Sequence, residues 1–305
     1  MKGIIMGAGT ASRLYPATKA VNKHFLPVYD KPMLYYPLAL LMMAGIRDIT
    51  LGINRADEEL CRNLLSDGSR LGLRISYHIE EPRRGAAGAF LLGQEMPGSE
   101  SVAIALADNV VFGSGIAQTF RDAADRFEKS GGAKIFCSYV EHPQDFGVIR
   151  LNREGRLLSL ESRSPAPVSN YAVTGLFFFE KEAFGLIKNV NGPVDGNNQF
   201  RQVLRQYLRE GKLHHQILDR KIRWFDAGRP DRVLEAALAV KDFQEKHGAY
   251  AGCIEEIAYD NGWISRQQLQ KLAAEMPDTE YGKYLEGRCA EQTQSVLQAS
   301  HPIYG

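Results

Sequence analysis

Along the first half of the chain, apolar residues come in short runs that end at a glycine, a proline or a polar turn. Residues 2–6 (Lys-Gly-Ile-Ile-Met) form such a run before Gly7 and predict a buried strand. Residues 48–53, 75–79, 102–106 and 134–139 repeat the pattern. Between them lie stretches with helical spacing: 36–44, which stops at Gly45, then 58–65, 86–95 and 115–129. Strands separated by helices of roughly ten residues predict βαβ units, hence an α/β fold with a mostly parallel sheet covered on both faces. Ligands of such sheets sit beyond the carboxyl ends of the strands. The loops after Met6, Ile79 and Leu106 are therefore where a site is expected.

The second half changes character. Residues 146–151, 157–161 and 172–179 read as strands joined by short Gly/Asn/Pro turns, a small β-rich part. Helices follow at 182–189 and 199–210, then a last strand at 223–226 and a long helix at 230–246. Two more helical patterns occupy 254–261 and 266–275, and the weakly patterned residues 286–305 are expected to be a loosely held tail.

Composition narrows the function. The 305 residues carry 37 Lys+Arg against 36 Asp+Glu, a formal net charge of +1. That balance argues against a dedicated nucleic-acid binder, which needs a basic excess to neutralise phosphates. The longest apolar stretches, such as residues 38–44, are too short to span a bilayer. Met1-Lys2-Gly3-Ile4-Ile5 runs straight into a strand pattern, unlike a signal peptide. Cys61, Cys137, Cys253 and Cys289 lie far apart, without metal-ligand spacing, and are expected to be reduced thiols of a cytoplasmic protein.

The candidate chemistry begins at the first turn, Gly7-Ala8-Gly9-Thr10-Ala11-Ser12-Arg13-Leu14. Small residues in a strand-to-helix turn let backbone N–H groups approach an anion. Taken alone, Gly-x-Gly serves equally well as a tight structural turn, and it is neither a P-loop nor a dinucleotide fingerprint. Arg13 and Lys23 beside it supply two cations that suit a polyphosphate; the plainer role for Lys23 is a solvated surface lysine. Asp108 follows the strand at 102–106 and Asp226 closes the strand at 223–226. A lone Asp in either place is more often a cap or turn residue. Two carboxylates together with phosphate oxygens suit Mg²⁺, a hard cation that needs few protein ligands.

Longer motifs carry a resemblance. Arg13-Leu14-Tyr15-Pro16, Asn22-Lys23, Asp30-Lys31-Pro32-Met33, Ala107-Asp108-Asn109, Val173-Thr174-Gly175 and Asp226-Ala227-Gly228 resemble the glucose-1-phosphate thymidylyltransferases, sugar-1-phosphate nucleotidyltransferases. So do Glu255-Glu256-Ile257-Ala258 and Tyr281-Gly282-Lys283-Tyr284-Leu285, so that residues 1–285 are covered in order. The resemblance implies a Rossmann-like α/β domain over 1–285: a nucleotide-binding part (1–140), a sugar-phosphate part (141–230) and C-terminal helices (231–285). It implies transfer of a nucleotidyl group from a nucleoside triphosphate to a sugar 1-phosphate, with Mg²⁺, in a homo-oligomer, usually a tetramer. An effector site at a subunit interface often accompanies it.

By the same resemblance, Arg13 and Lys23 are the catalytic cations. Gly7, Ala8, Gly9, Thr10, Ala11, Ser12, Glu80, Gly85 and Asp108 bind the nucleotide. Gly147, Glu161, Arg163, Val173 and Gln199 bind the sugar phosphate, and Asp108 and Asp226 hold the metal.

Several positions depart from the family pattern. Ala8 and Ala11 replace glycines, which would strain either position if it needs φ > 0. Glu80 stands where the family reads thymine with a glutamine; a carboxylate has no donor for O4 and suits guanine or cytosine donors instead, unless Arg83 or Arg84 pairs with it. On the sugar side, Arg163 stands in place of a lysine and can grip a phosphate bidentately, whereas Arg150 and Gln199 replace glutamates and Gln202 an aspartate, which argues for a different or more anionic acceptor or for lost glucose binding. Two alternatives stand beside the default of dTTP with glucose 1-phosphate. One is an enzyme with another base or acceptor, the other a non-catalytic nucleotide-binding paralogue.

Overall fold

The computed structural model describes residues 1–80, 87–95, 101–186 and 196–299, the side chains of 196, 197 and 291–299 excepted. The first half runs β1 (Lys2–Met6), a small hairpin β2 (Pro27–Val28) and β3 (Lys31–Pro32), α1 (Tyr35–Met43), β4 (Asp48–Ile53), α2 (Glu58–Leu65), β5 (Arg74–Ile79), α3 (Gly88–Glu95), β6 (Ser101–Leu106), β7 (Asn109–Gly113), α4 (Ile116–Ser130) and β8 (Ala133–Tyr139). The second half runs β9 (Val148–Leu151), β10 (Leu157–Glu161), β11 (Tyr171–Glu180), α5 (Ala183–Leu186), α6 (Gly196–Arg209), β12 (Leu213–Ile217), β13 (Ile222–Asp226), α7 (Pro230–His247), α8 (Ile254–Asp260), α9 (Arg266–Ala274) and α10 (Glu280–Ala299).

β5, β4, β1 and β6 lie side by side and parallel, so Ile79, Ile53, Met6 and Leu106 all end on one edge. β11 joins β6 antiparallel, and β8 and β12 extend the sheet beyond it. Alternation along the strands divides the core between two faces. Ile5, Leu51, Ala103 and Ala105 face one layer, with Leu38 and Leu41 of α1, Phe120 and Phe127 of α4, and Leu269 of α9. Ile4, Met6, Val102 and Ile104 face the other, with Phe90 of α3, Phe184 of α5 and Val203 and Tyr207 of α6. Helices cover both faces of a mostly parallel sheet, as the apolar pattern predicts.

Three features were not anticipated. β7 follows β6 after only two residues and leaves the main sheet to pair with β13, Asn109 opposite Asp226. The run 223–226 is thus the partner of β7 in a two-stranded ribbon. β11 is long enough to change neighbours: Leu176 to Glu180 pair with β6, whereas Ala172 pairs with Val148 of β9. Val173, Thr174 and Gly175 lie at that switch. Finally, residues 286–299 of the stretch expected to be a loose tail continue α10. Tyr281, Leu285 and Cys289, spaced four apart, are buried in the core, and Arg288 pairs with Glu256 (Nε–Oε1 2.7 Å) and Asp260 (3.1 Å). The expected elements at 86 and 187–189, like Arg83, Arg84 and Gly85, lie outside the described residues.

Candidate active site

The loop after β1 is held from below by a buried amide cluster. Asn22 Nδ2 and Asn54 Nδ2 each donate to the Gly9 carbonyl, both at 3.2 Å, and to Asp57 Oδ2 at 2.7 and 2.8 Å. Gly7 N donates to Gly52 O at 2.7 Å. Thr18 Oγ1 donates to Ala11 O at 2.8 Å, and Ala11 adopts φ 50°, ψ 23°, a left-handed conformation. Ala8, by contrast, has no positive φ and is buried. One of the two alanine replacements is therefore strained and the other is not.

Lys23 and Asp108 meet across this loop, Nζ donating to Oδ2 at 2.6 Å. Asn109 fixes the opposite side: its Nδ2 donates to Asp108 Oδ1 at 3.0 Å while its Oδ1 accepts from Gly175 N at 2.9 Å and from Trp224 Nε1. A Cβ on Gly175 would lie 2.4 Å from the Asn109 amide, so glycine is required there. The β7–β13 ribbon then sets Asp226 beside Asp108, and Ala227 N donates to Asp108 O at 2.8 Å. Arg13 closes the group. Its guanidinium lies over Gly228, where a Cβ would come within 2.5 Å of it and 3.0 Å of Asp226 Oδ1.

These charges polarise the two carboxyls in opposite directions. Burial pushes Asp108 up, but the Lys23 ammonium, with Arg13 behind it, overcomes that and holds it below the usual carboxylate range. Asp226 is pushed up, first by burial and then by the negative charge of Asp108, despite Arg13, Lys23 and Arg163. Two adjacent buried carboxylates, one of them raised in part by the charge of the other, are a donor set suited to a hard divalent cation, which would relieve that repulsion. The residues present fit such an ion. Among the described residues no cluster of three or more metal-ligating side chains accompanies them, so phosphate oxygens and water would complete its shell.

All four groups face one cavity of about 700 Å³ between the carboxyl edge of the parallel strands and the β11 switch. Gly7, Ala8, Gly9, Glu80, Gly147, Arg163 and Val173 line it, together with Arg13, Lys23, Asp108 and Asp226. Thr10, Ala11, Ser12, Glu161 and Gln199 do not. Glu161 shares a face of β10 with Ser159 and accepts from its Oγ at 3.0 Å; no ion pair joins it to Arg163 among the described residues. Gln199 precedes Phe200, whose ring is buried, and the helical turn brings Arg201 to the cavity in its place. Arg150 is exposed on β9 and is not part of the lining. Gly85 lies outside the described residues. The sequence reading missed Asn109, Arg201, Phe146 and Trp224, all of which line the cavity.

A nucleotidyl transferase family model matches residues 2–242. The chain belongs to the nucleotidyl transferase family. A glucose-1-phosphate thymidylyltransferase of Neisseria meningitidis is 41% identical over 285 residues, 93% of this chain and 98% of the relative. Another from Mycobacterium tuberculosis is 39% identical over the same span of 93% and 98%. Among solved structures, a Bacillus anthracis protein assigned as a glucose-1-phosphate thymidylyltransferase, crystallised with a sucrose, superposes with a TM-score of 0.72 at 29% identity, covering 79% of this chain and 96% of that one. A UDP-glucose pyrophosphorylase at 20% identity and a TM-score of 0.66 shares the fold. The resemblance read from the motifs is borne out, and the nucleotidyl transferase fold accounts for the sheet and its flanking helices. Among the described residues no helix is long and apolar enough to cross a membrane.

Proposed function

We propose that this nucleotidyl transferase condenses a nucleoside triphosphate with a sugar 1-phosphate, releasing pyrophosphate and a nucleotide-sugar. The observation that carries the reading is the convergence of Arg13, Lys23, Asp108 and Asp226 on one cavity. A phosphate oxygen of the acceptor attacks the α-phosphorus, the bond to the bridging oxygen breaks, and pyrophosphate departs with that electron pair. Such a displacement asks the protein for positioning and charge neutralisation, with no covalent intermediate. In this reading Arg13 bears on the departing pyrophosphate, where charge grows as the bond breaks. Lys23, fixed by Asp108, bears on the α-phosphate. Asp108 and Asp226 would hold a divalent cation, Mg²⁺ by the hardness of their oxygens, and that ion when bound supplies further neutralisation of phosphate charge.

The reading takes dTTP as the default donor and glucose 1-phosphate as the default acceptor, supported by the names of the relatives, and the cytoplasm as the compartment. We include a homotetramer in the proposal; Leu234 and Leu238, one turn apart on α7 and 61% and 59% exposed, are apolar positions that an interface would cover. The strain at Ala11 favours a second reading, a paralogue that binds nucleotide without turnover. Pyrophosphate release measured across the NTPs and several sugar 1-phosphates separates the two. Release with at least one pair is expected. Tight NTP binding with no release from any pair would support the non-catalytic reading.

A further inference from the structure

The glycine loop after β1 is anchored by a closed ring of four hydrogen bonds. Asp57, in the turn between β4 and α2, accepts from Asn22 Nδ2 and Asn54 Nδ2 on one oxygen, at 2.7 and 2.8 Å, and the same two nitrogens donate to the Gly9 carbonyl at 3.2 Å. Donors and acceptors alternate round the ring, so each amide divides its two hydrogens between the carboxylate and the carbonyl. Asn22, Asn54 and Asp57 are all buried and none of them lines the cavity, whereas Gly9 does. Asn54 Oδ1 is buried with no hydrogen-bond partner among the described residues, so the place of this side chain in the ring rests on its donors. The other amide reaches further: Asn22 Oδ1 accepts from Lys23 N at 2.8 Å.

A trans peptide sets its N–H opposite its C=O. With the Gly9 carbonyl held on the two amides, the trans Gly9–Thr10 peptide turns its N–H away from the buried cluster. Gly9 borders the cavity, and a Cβ built on it would meet no atom of the described residues within 4 Å, so the loop leaves room there for an anion. Through Asn22 the same carboxylate fixes the start of the turn that carries Lys23, whose Nζ meets Asp108 at 2.6 Å. We propose that Asp57 is a positioning residue for the triphosphate: acting through Asn22 and Asn54, it sets the Gly9–Thr10 amide and the Lys23 ammonium on the same phosphates. This rests on the nucleotidyl-transfer reading for the identity of the ligand. Asp57 itself touches no substrate. Its charge-assisted bonds hold both amides in one orientation, and without them the side chains are free to turn over and the Gly9 carbonyl loses its two donors. Asp57→Asn keeps an oxygen that both amides can share; Asp57→Ala keeps none.

Calorimetry with pyrophosphate and with dTTP, each in the presence of Mg²⁺, measures this grip on the full chain without turnover. Pyrophosphate release from dTTP and glucose 1-phosphate measures it in turnover. Asp57→Ala is expected to weaken binding of both ligands about tenfold or more, as loss of a group that orients a ligating one does. The KM for dTTP rises in step while the KM for glucose 1-phosphate holds. Asp57→Asn is expected to recover most of the affinity, and Asn54→Ala, which breaks one side of the ring, to fall between the two. A purely structural role would lower the melting temperature of Asp57→Ala and leave the Kd of the folded protein where it was. An unchanged Kd in Asp57→Ala, or in Asn54→Ala where Asp57→Ala does not fold, overturns the inference, as does an Asp57→Asn protein as weak as Asp57→Ala. If the unmodified protein binds neither ligand, both the inference and the reading beneath it fail. If the losses appear in binding but the unmodified protein releases no pyrophosphate from any pair of substrates, the nucleotidyl-transfer reading fails while the assignment of Asp57 stands.

Discussion

Single residues carry three separable effects. Ala11 sits at φ 50° with its carbonyl tied to Thr18, and the left-handed backbone costs an L-residue about 1–2 kcal/mol. Ala11→Gly should therefore raise stability by about 1 kcal/mol in denaturant unfolding; a lower midpoint would show that the loop is not strained. Glu80 is buried at 5% exposure, and a Cβ on Gly88 would lie 1.8 Å from its Oε1, so the carboxylate fills the space a side chain at 88 would take. Glu80→Gln should shift kcat/KM toward dTTP and UTP about tenfold, because an amide offers a donor to O4 that the carboxylate lacks. An unchanged ranking of the four NTPs would mean that Glu80 does not face the base. His24, adjacent to Lys23, is buried with neither ring nitrogen hydrogen-bonded among the described residues, and burial followed by the Lys23 charge lowers its pKa to about 4. The unfolded imidazole binds a proton near pH 6.5 and the folded one only near 4, so this stability is full above 6.5 and is lost as pH falls toward 4. Relative to His24→Gln, the unmodified protein should lose melting temperature between pH 7.5 and 5. A constant difference would contradict the shift.

At the scale of elements, legibility followed burial. β1 and β4 match the predicted runs residue for residue because both are central strands in which most positions are buried and apolar. β12 escaped notice because it is an edge strand carrying His214 and His215, and β7 because only Ala107 and Asp108 separate it from β6. That second omission hid the device that joins the two aspartates, since a ribbon pairing distant segments leaves no local pattern. The motifs nevertheless singled out both residues, as metal ligands, and both line the cavity. Arg201 was passed over for Gln199 because the face of α6 turned to the cavity is fixed by where Phe200 buries, which only the fold reveals. The helix over residues 286–299 went unread for a similar reason: Cys289 extends the buried stripe of Tyr281 and Leu285 by one more turn amid charged neighbours, too sparse a signal to stand out. Ending the chain at residue 285 removes the Cys289 contact and leaves Glu256 without Arg288, and should cost about 2 kcal/mol. An unaltered urea midpoint would mean that α10 contributes nothing beyond Leu285.

Across the whole molecule, the parallel strands deliver the glycine loop and Asp108 to one edge, and β11 changes partners beside them to open the acceptor half. The β7–β13 ribbon bridges the two by carrying Asp226 to Asp108. The central claim is that these two carboxylates, with Arg13 and Lys23, drive nucleotidyl transfer through a bound divalent cation. Pyrophosphate release by Asp226→Asn, compared with the unmodified protein over a Mg²⁺ titration, tests it most directly. A fall of several orders of magnitude in kcat, with unchanged thermal unfolding and a weakened Mg²⁺ dependence, is the expected result. Near-normal turnover of Asp226→Asn at limiting Mg²⁺ would contradict it.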